Sequence, residues 1–175
     1  MVLEWQGGRH KESAPKMGKA QQRTNAMRIL DSRGVAYQVL KFSPDIHSGS
    51  GVAEAVGVPS DTVFKTLVVL RPKGKGILVM LPANQELDLK KLASSLGERK
   101  LQMASHRQAE ALTNLQVGGI SALALLSRPF DVFIVSEALQ HAEILVSAGR
   151  RGINLRLGVP DLIDITGAEV IDLSA

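Results

Sequence analysis

The segment DTVFKTLVVLRPKGKGILVMLP (residues 61–82) decides the fold of this chain, because it predicts a β-hairpin. Two apolar runs rich in Val, Leu and Ile flank a Pro-Lys-Gly-Lys-Gly turn, which is the pattern of two strands joined by a short connection. Lys65 interrupts the first run with a cation. Its ammonium group either reaches the surface on a four-carbon stem or is held in a pocket, and for a single lysine the residues alone favour the surface position.

The segments on either side of the hairpin predict short helices and strands in irregular alternation. A helix capped by Thr24 or Asn25 ends at Gly34, and GVAEAVG predicts a second helix capped by Ser48 or Ser50. ELDLKKLASSLG predicts a third helix and VPDLIDITG a further one, whereas AYQVLKF, DVFIV, AEILVS, INLRLG and EVIDLSA predict strands. This order indicates a single α/β (α+β) domain with a central mixed, mainly antiparallel sheet surrounded by short helices.

The composition excludes several classes of protein. A chain of 175 residues is about one domain long, and 45% of its residues are hydrophobic. The absence of cysteine excludes disulfides, a thiol nucleophile and cysteine-ligated metals, and it fits a cytoplasmic location. No apolar run approaches the roughly 20 residues that a membrane-spanning helix needs, so we expect no membrane association.

The positive charge is concentrated at the N-terminus. The formal net charge is +4, but residues 1–23 hold five basic and two acidic residues, which leaves residues 24–175 nearly neutral. Residues 1–23 also lack apolar periodicity and the apolar core of a signal peptide. We therefore expect a flexible basic N-terminal extension over residues 1–23 and one folded domain over residues 24–175.

The common catalytic motifs are absent from the sequence. The four histidines are scattered without metal-ligand spacing, so we expect no metal and no cofactor. No phosphate-binding loop of the GxxxxGK[ST] kind and no GxSxG nucleophile motif is present. Two segments with small residues remain, VGGIS (residues 117–121) and VSAGRRG (residues 146–152). Each segment on its own predicts a turn. Together with Lys65, the two segments predict a pocket in which main-chain N–H groups act as hydrogen-bond donors.

The order of these segments resembles that of the YbaK/EbsC family of aminoacyl-tRNA deacylases, which includes the editing domain of bacterial prolyl-tRNA synthetases. The matching features are VPSDTVFKTLVV, ELDLKKLASSLG, VGGIS and VSAGRRG, in the family's order and at about its spacing. The resemblance runs from about Thr24 to the C-terminus. It implies a trans-acting editing hydrolase that deacylates mischarged tRNA, chiefly Cys-tRNA(Pro), with prolyl-tRNA synthetase as a candidate partner.

The resemblance also implies a set of site residues. Lys65 corresponds to the characteristic functional lysine, which positions the aminoacyl-adenosine and stabilises developing negative charge, while the nucleophile is a cysteinyl thiol of the substrate or a water. Arg150 and Arg151 are candidates for contacts with tRNA phosphates, with a structural salt bridge as an equal alternative for one of them. The predicted substrate-binding residues are Thr66, Gly118, Gly119, Ile120, Ser121, Ser147, Ala148, Gly149 and His47.

Three positions depart from the family pattern. Ala122 stands where a proline is frequent after GGIS, Ser136 stands where an aspartate is frequent, and Ala148 stands where a glycine is frequent. The first leaves the loop freer and the third slightly narrows the pocket, which leaves open an alternative substrate, Ala- or Ser-tRNA, because a pocket separates such small side chains by only about 1–3 kcal/mol. A non-catalytic module that binds tRNA or a synthetase is the alternative of a different class, against which the intact VFKTL segment argues.

Overall fold

The computed structural model describes residues 23–174, so the predicted N-terminal extension lies outside it except for Arg23. Five α-helices and eight strands lie within the described range, together with three short 3-10 turns at Ser60–Thr62, Ala122–Leu125 and Ser136–Gln140. In chain order the elements are α1 Asn25–Ser32, β1 Gln38–Lys41, α2 Gly49–Val56, β2 Phe64–Leu70, β3 Gly76–Pro82, α3 Leu89–Ser95, β4 Gln102–Met103, α4 His106–Thr113, β5 Phe130–Val135, β6 Glu143–Ser147, β7 Ile153–Gly158, α5 Val159–Thr166 and β8 Glu169–Ile171.

Local side-chain caps fix where the first three helices begin. Thr24 caps α1, where its hydroxyl accepts from the main-chain N–H of Met27. Ser48 caps α2 in the same way, and the Asp88 carboxylate accepts from two main-chain N–H groups at the start of α3. A cap of this kind stabilises a helix by about 1 kcal/mol. The predicted helices are therefore confirmed, with Thr24 and Ser48 as the caps where two candidates were open.

The strands form a mixed, mainly antiparallel arrangement, as predicted, but it is divided into two sheets. One sheet has the order β4-β2-β3-β5-β8, in which β3, β5 and β8 run parallel. The other has the order β1-β7-β6 and is antiparallel throughout. A parallel bridge between Val63, just before β2, and Leu145 in β6 joins them. This bridge places the start of β2 beside the three-stranded sheet.

The core that holds the sheets is aliphatic, in line with the scarcity of aromatic residues. Leu78 in β3, Ile134 in β5, Leu155 in β7 and Leu162 in α5 are fully buried. Burial of such a side chain contributes about 1.5–3 kcal/mol relative to exposure. Within residues 23–174, no helix has the length and hydrophobicity needed to cross a membrane.

One feature of the larger sheet positions the site. Residues 64–69 of β2 pair with β3, but β4 covers only Val69 and Leu70 on the other side. The first half of that edge of β2 is therefore not covered by β4. Lys65 and Thr66 lie in this uncovered half.

Candidate active site

A cavity of about 640 Å³ lies along the uncovered edge of β2. This volume is typical of a pocket for a small molecule or a nucleoside-sized group. Its walls come from the start of α2, the first half of β2, the start of α4 and two loops. We call residues 117–121 the glycine loop and residues 147–152 the arginine loop. Among the described residues that line the cavity, Lys65 is the sole lysine or arginine and no side chain is acidic.

Lys65 lies in the cavity wall rather than on the outer surface. It is half-buried, and its Nζ donates to the main-chain carbonyl of Ala83 at 3.3 Å. Desolvation lowers the pKa of the Lys65 ammonium below its usual value, an effect that the negative charge of Glu86 partly opposes. A partly desolvated cation interacts more strongly with a polarised carbonyl than a fully hydrated one does. Of the two positions considered for the Lys65 ammonium, the outer surface and a pocket, the structure therefore shows the pocket.

The main chain of Thr66 faces the same cavity. Ala83 N–H donates to the carbonyl of Val63 at 2.7 Å, so the odd-numbered residues of this part of β2 bond towards β3. The even-numbered residues bond in the opposite direction, as the bond from Ala104 N–H to the carbonyl of Val68 shows. By this alternation, the N–H and C=O of Thr66 point to the side where β4 has already ended. One donor and one acceptor of an unpaired strand edge are thereby presented to the cavity.

The glycine loop and the arginine loop pack against each other to form one wall. A Cβ atom added at Gly119 would lie 2.9 Å from the main-chain N of Arg151 and 3.0 Å from the carbonyl carbon of Arg150, so the close approach requires glycine. Gly118 has a φ of +91°, which also favours glycine. The Arg151 guanidinium joins the loops, since its Nε donates to the carbonyl of Val117 at 2.6 Å. Arg151 therefore holds the wall together.

The structure brings a majority of the predicted site residues into the cavity lining. Lys65 and Thr66 enter from β2, and Ser147 enters from the end of β6. The glycine loop contributes Gly118 and Ile120. The sixth, His47, is exposed and lies at the mouth of the cavity, just before the cap of α2.

Four predicted site residues lie outside the lining, for identifiable reasons. Gly119 is buried between the two loops, and Gly149 borders a different cavity. Ala148 is fully buried, and its N–H donates to the carbonyl of Ile153 within the β6–β7 connection. It therefore does not narrow the pocket, which corrects the expectation drawn from its replacement of a glycine. Ser121, the last residue of the glycine loop, is only 1% exposed.

The sequence reasoning missed several polar residues of the lining, among them Asn154 and Asn84, and one packing contact. Asn154 is buried in β7 directly opposite Ser147 and lines the cavity, as does the exposed Asn84 after β3. The signal for Asn154 was an amide between Ile and Leu in an apolar strand, much like the signal for Lys65. Gly49, at the start of α2, packs so closely on Ala83 that an added Cβ would lie 2.2 Å from the Ala83 Cβ. Helix α2 thereby supports the residue that accepts from Lys65.

Comparison with known proteins agrees with this arrangement. The model of the aminoacyl-tRNA editing domain matches residues 43–165, which include β2, both loops and most of the cavity lining. A protein of Enterococcus faecalis that bears the name of a Cys-tRNA(Pro)/Cys-tRNA(Cys) deacylase, EbsC, is 36% identical over 158 residues, covering 89% of this chain and 96% of that protein. A proline–tRNA ligase of Nitratidesulfovibrio vulgaris is 30% identical over 114 residues, which cover 65% of this chain and 20% of the ligase.

The fold has solved relatives as well. A crystal structure described as a trans-editing enzyme for prolyl-tRNA synthetase superposes with a TM-score of 0.76 and 23% identity, covering 89% of this chain and 98% of that one. At this identity the match supports the fold, while the family rests on the domain model and on the similarity to EbsC. The chain therefore belongs to the aminoacyl-tRNA editing domain family of deacylating enzymes.

Proposed function

We propose that this chain hydrolyses the ester of mischarged tRNA in trans, with Cys-tRNA(Pro) as its principal substrate and Lys65 as its central functional residue. The observation that carries the proposal is the placement of Lys65 in a cavity of about 640 Å³, in a chain that matches EbsC along 96% of its length. The proposed partners are the acceptor end of tRNA(Pro) and prolyl-tRNA synthetase. Such a reaction belongs in the cytoplasm.

The lining supports a mechanism in which the protein positions and stabilises rather than attacks. The Lys65 ammonium and the main-chain N–H of Thr66 are the donors for the ester carbonyl oxygen, which gains negative charge as the carbonyl carbon is attacked. The attacking group is a water molecule, which gives the free amino acid, or the substrate's own thiol, which gives a cyclic thioester that water opens afterwards. The bond from the carbonyl carbon to the ribose oxygen then breaks, the ribose oxygen takes up a proton, and free tRNA leaves. The main-chain carbonyl of Thr66 is an acceptor for the α-ammonium of the amino acid.

The choice of amino acid is a separate part of the proposal. The alternative substrates, Ala- and Ser-tRNA, retain one supporting observation, the alanine at position 122 where the family often has proline. Ala122 is buried and begins the 3-10 turn that follows the glycine loop. Alanine leaves the backbone freer at this point than proline does. The conformation of the glycine loop, and with it the space for the substrate side chain, is therefore less restricted.

The test is deacylation of Cys-tRNA(Pro), Ala-tRNA(Pro) and Pro-tRNA(Pro) by the wild type and by Lys65→Ala. We expect selective loss of the cysteinyl ester with the wild type, and a decrease of about 10²–10³-fold in the rate with Lys65→Ala, the usual effect of removing one charge-stabilising donor. The matched control is Lys73→Ala, which removes the same charge from the exposed β2–β3 turn. Equal rates for Lys65→Ala and Lys73→Ala would refute the role of Lys65. Preference for the alanyl ester would identify Ala-tRNA as the substrate and leave the proposed mechanism unchanged. No hydrolysis of any ester would favour the non-catalytic binding module.

A further inference from the structure

A second cavity is bordered by the arginine loop, which also borders the first. Its volume is about 240 Å³, and none of its described lining residues is acidic. Three of them are arginines, one two residues before α1, one in α1 itself and one in the arginine loop. The lining consists of Arg23, Thr24, Asn25, Arg28, Leu115, Ala124, Gly149 and Arg150.

The three arginines of this cavity differ in their ion-pair and hydrogen-bond partners within the protein. Arg23 forms an ion pair with Asp31, so its charge is compensated within the protein. Arg28 donates to the side-chain oxygen of Asn25 at 3.0 Å, which is a neutral acceptor. Arg150 is exposed, and within residues 23–174 its side chain makes no hydrogen bond or ion pair. Two guanidinium groups therefore face this cavity without an anionic partner among the described residues.

The first turn of α1 adds to the positive potential. Thr24 uses its hydroxyl to cap Met27 N–H, and Asn25 follows as the first helical residue. The N-terminal end of a helix carries a partial positive charge and main-chain N–H groups that suit an oxyanion. The arginines, not the helix end, carry the inference, because guanidinium groups bind phosphate oxygens through paired N–H donors.

We propose that this second cavity binds a backbone phosphate of the RNA that carries the aminoacyl group. The inference rests on the proposed function for the identity of the RNA. The arginine loop borders both cavities: Ser147 lines the first, and Gly149 and Arg150 line the second. Three Cα steps of 3.8 Å put the Cα atoms of Ser147 and Arg150 at most about 11 Å apart. A ligand that fills both cavities therefore places in the second a phosphate from close to its 3′ end, not from a distant stem.

This site explains why the two loop arginines have separate roles. Arg151 points into the wall and bonds to Val117, whereas Arg150 lies in the second cavity with Arg28. Contacts to phosphate position a nucleic acid without reading its sequence. We therefore expect the second cavity to contribute to affinity for RNA of any sequence, while the first cavity selects the amino acid.

The test measures RNA binding apart from hydrolysis. The probe is an uncharged minihelix with a CCA end, and its Kd is determined by fluorescence anisotropy at several salt concentrations for wild type, Arg28→Gln, Arg150→Gln and the double variant. Arg99→Gln is the matched control, because Arg99 is exposed and lines neither cavity. We expect a Kd about tenfold higher for the double variant, and a slope of log K against log salt that is smaller by about 0.7 for each lost phosphate contact.

Catalysis supplies a second readout. With Cys-tRNA(Pro), the double variant should raise KM and leave kcat unchanged. With cysteinyl-adenosine, which has no phosphate, both constants should equal those of the wild type. A double variant that binds the minihelix like Arg99→Gln would overturn the proposal, as would an equal loss on cysteinyl-adenosine. Competition by inorganic phosphate at concentrations comparable to the minihelix would also overturn it, in favour of a site for a small free anion. If no ester is hydrolysed, the proposed function fails while the minihelix measurement still decides the phosphate site.

Discussion

Lys65 shows how one side chain in a strand acquires a special environment. An ammonium group on an ordinary strand surface is hydrated, but Lys65 lies where β4 has ended and a cavity begins. Burial lowers the pKa of the Lys65 ammonium, and Glu86 opposes this effect from a distance that leaves no ion pair between the two. The half-buried position costs the folded state some hydration of the charge. We interpret this partial loss of hydration as the reason why the ammonium group can interact strongly with a substrate oxygen.

The pH dependence of the reaction tests whether the ammonium is the working form. The pKa of Lys65 lies below the usual 10.5, and a role in charge stabilisation requires the protonated form. The rate of enzymatic ester hydrolysis, corrected for spontaneous hydrolysis, should therefore fall as the pH rises through the pKa of Lys65. A rate that rises through the same range with the alanyl ester, which has no thiol to ionise, and that does so only when Lys65 is present, would show that neutral Lys65 acts as a base, and the charge-stabilising role would have to be abandoned.

The same group makes a prediction for stability. Because the folded-state pKa of Lys65 is lower than the unfolded one, the unfolded chain binds more protons between the two values, and stability rises with pH in that window. Below the folded-state pKa the penalty of burying the charge is fully present. Lys65→Met should therefore raise the melting temperature at neutral pH while it removes activity. Lys73→Met on the exposed turn is the control, and a lower melting temperature for Lys65→Met alone would contradict the argument.

At the scale of the element, the open stretch of β2 supplies what no single side chain does. Its Thr66 N–H and C=O lie next to each other on an edge that β4 leaves free. A donor and an acceptor in this order match the carbonyl and the α-ammonium that every aminoacyl ester contains. In the proposed mechanism the main chain therefore recognises the common part of the substrate, and the rest of the cavity distinguishes the amino-acid side chain.

Substitution by proline separates the main chain of Thr66 from its side chain. Thr66→Pro removes the N–H that faces the cavity and leaves the bonds to β3 in place, because position 66 bonds in the other direction. Proline is tolerated at such edge positions. We expect Thr66→Pro to lower kcat for the cysteinyl ester by about 10²-fold, as loss of one oxyanion donor does. Thr66→Val keeps the N–H and should retain most of the activity. Equal losses in both variants, in proteins with native melting temperatures, would assign the effect to the hydroxyl.

The elements also show which features are readable from sequence. Thr24, Ser48 and Asp88 cap the helices that follow them, and these bonds span two or three residues, so local patterns predict them. The partner of Lys65, the carbonyl of Ala83, is 18 residues away. Asn154 reaches the cavity only because β7 pairs with β6, which is known once the strands are assembled. Local chemistry predicted the elements and the lysine, whereas the contacts that surround the lysine depend on the tertiary arrangement.

At the scale of the whole molecule, the contact of the glycine loop with the arginine loop joins the two sheets a second time. The glycine loop precedes β5 of the larger sheet, and the arginine loop connects β6 to β7 of the smaller one. Arg151 and Gly119 form this junction, and the arginine loop borders both cavities. The junction therefore sets the geometry of both.

Gly119→Ala tests the junction. The added Cβ would approach main-chain atoms of Arg150 and Arg151 within about 3 Å, so the loops must separate. We expect a loss of about 1–3 kcal/mol in the free energy of unfolding, the usual cost of overpacking, together with weaker hydrolysis and weaker RNA binding. Gly158→Ala is the control. A Cβ at this position would lie 3.2 Å from a carboxylate oxygen of Asp161, which belongs to a side chain that can move, and 3.9 Å from its other near neighbours. Urea unfolding gives the free energies, and equal values for the two variants would show that the loops adapt freely.

The short open stretch of β2 has a further consequence, for association between molecules. An exposed strand edge ordinarily invites pairing with the edge of another chain and hence aggregation. Here the unpaired groups around Thr66 lie inside a cavity, between the end of β4 on one side and the bridge from Val63 to Leu145 on the other. A whole strand of a neighbouring molecule does not fit into so short a gap, whereas a single amino-acid unit does. The unpaired N–H and C=O groups of this strand edge therefore remain available to the substrate, whereas strand pairing with a second copy of the chain is blocked.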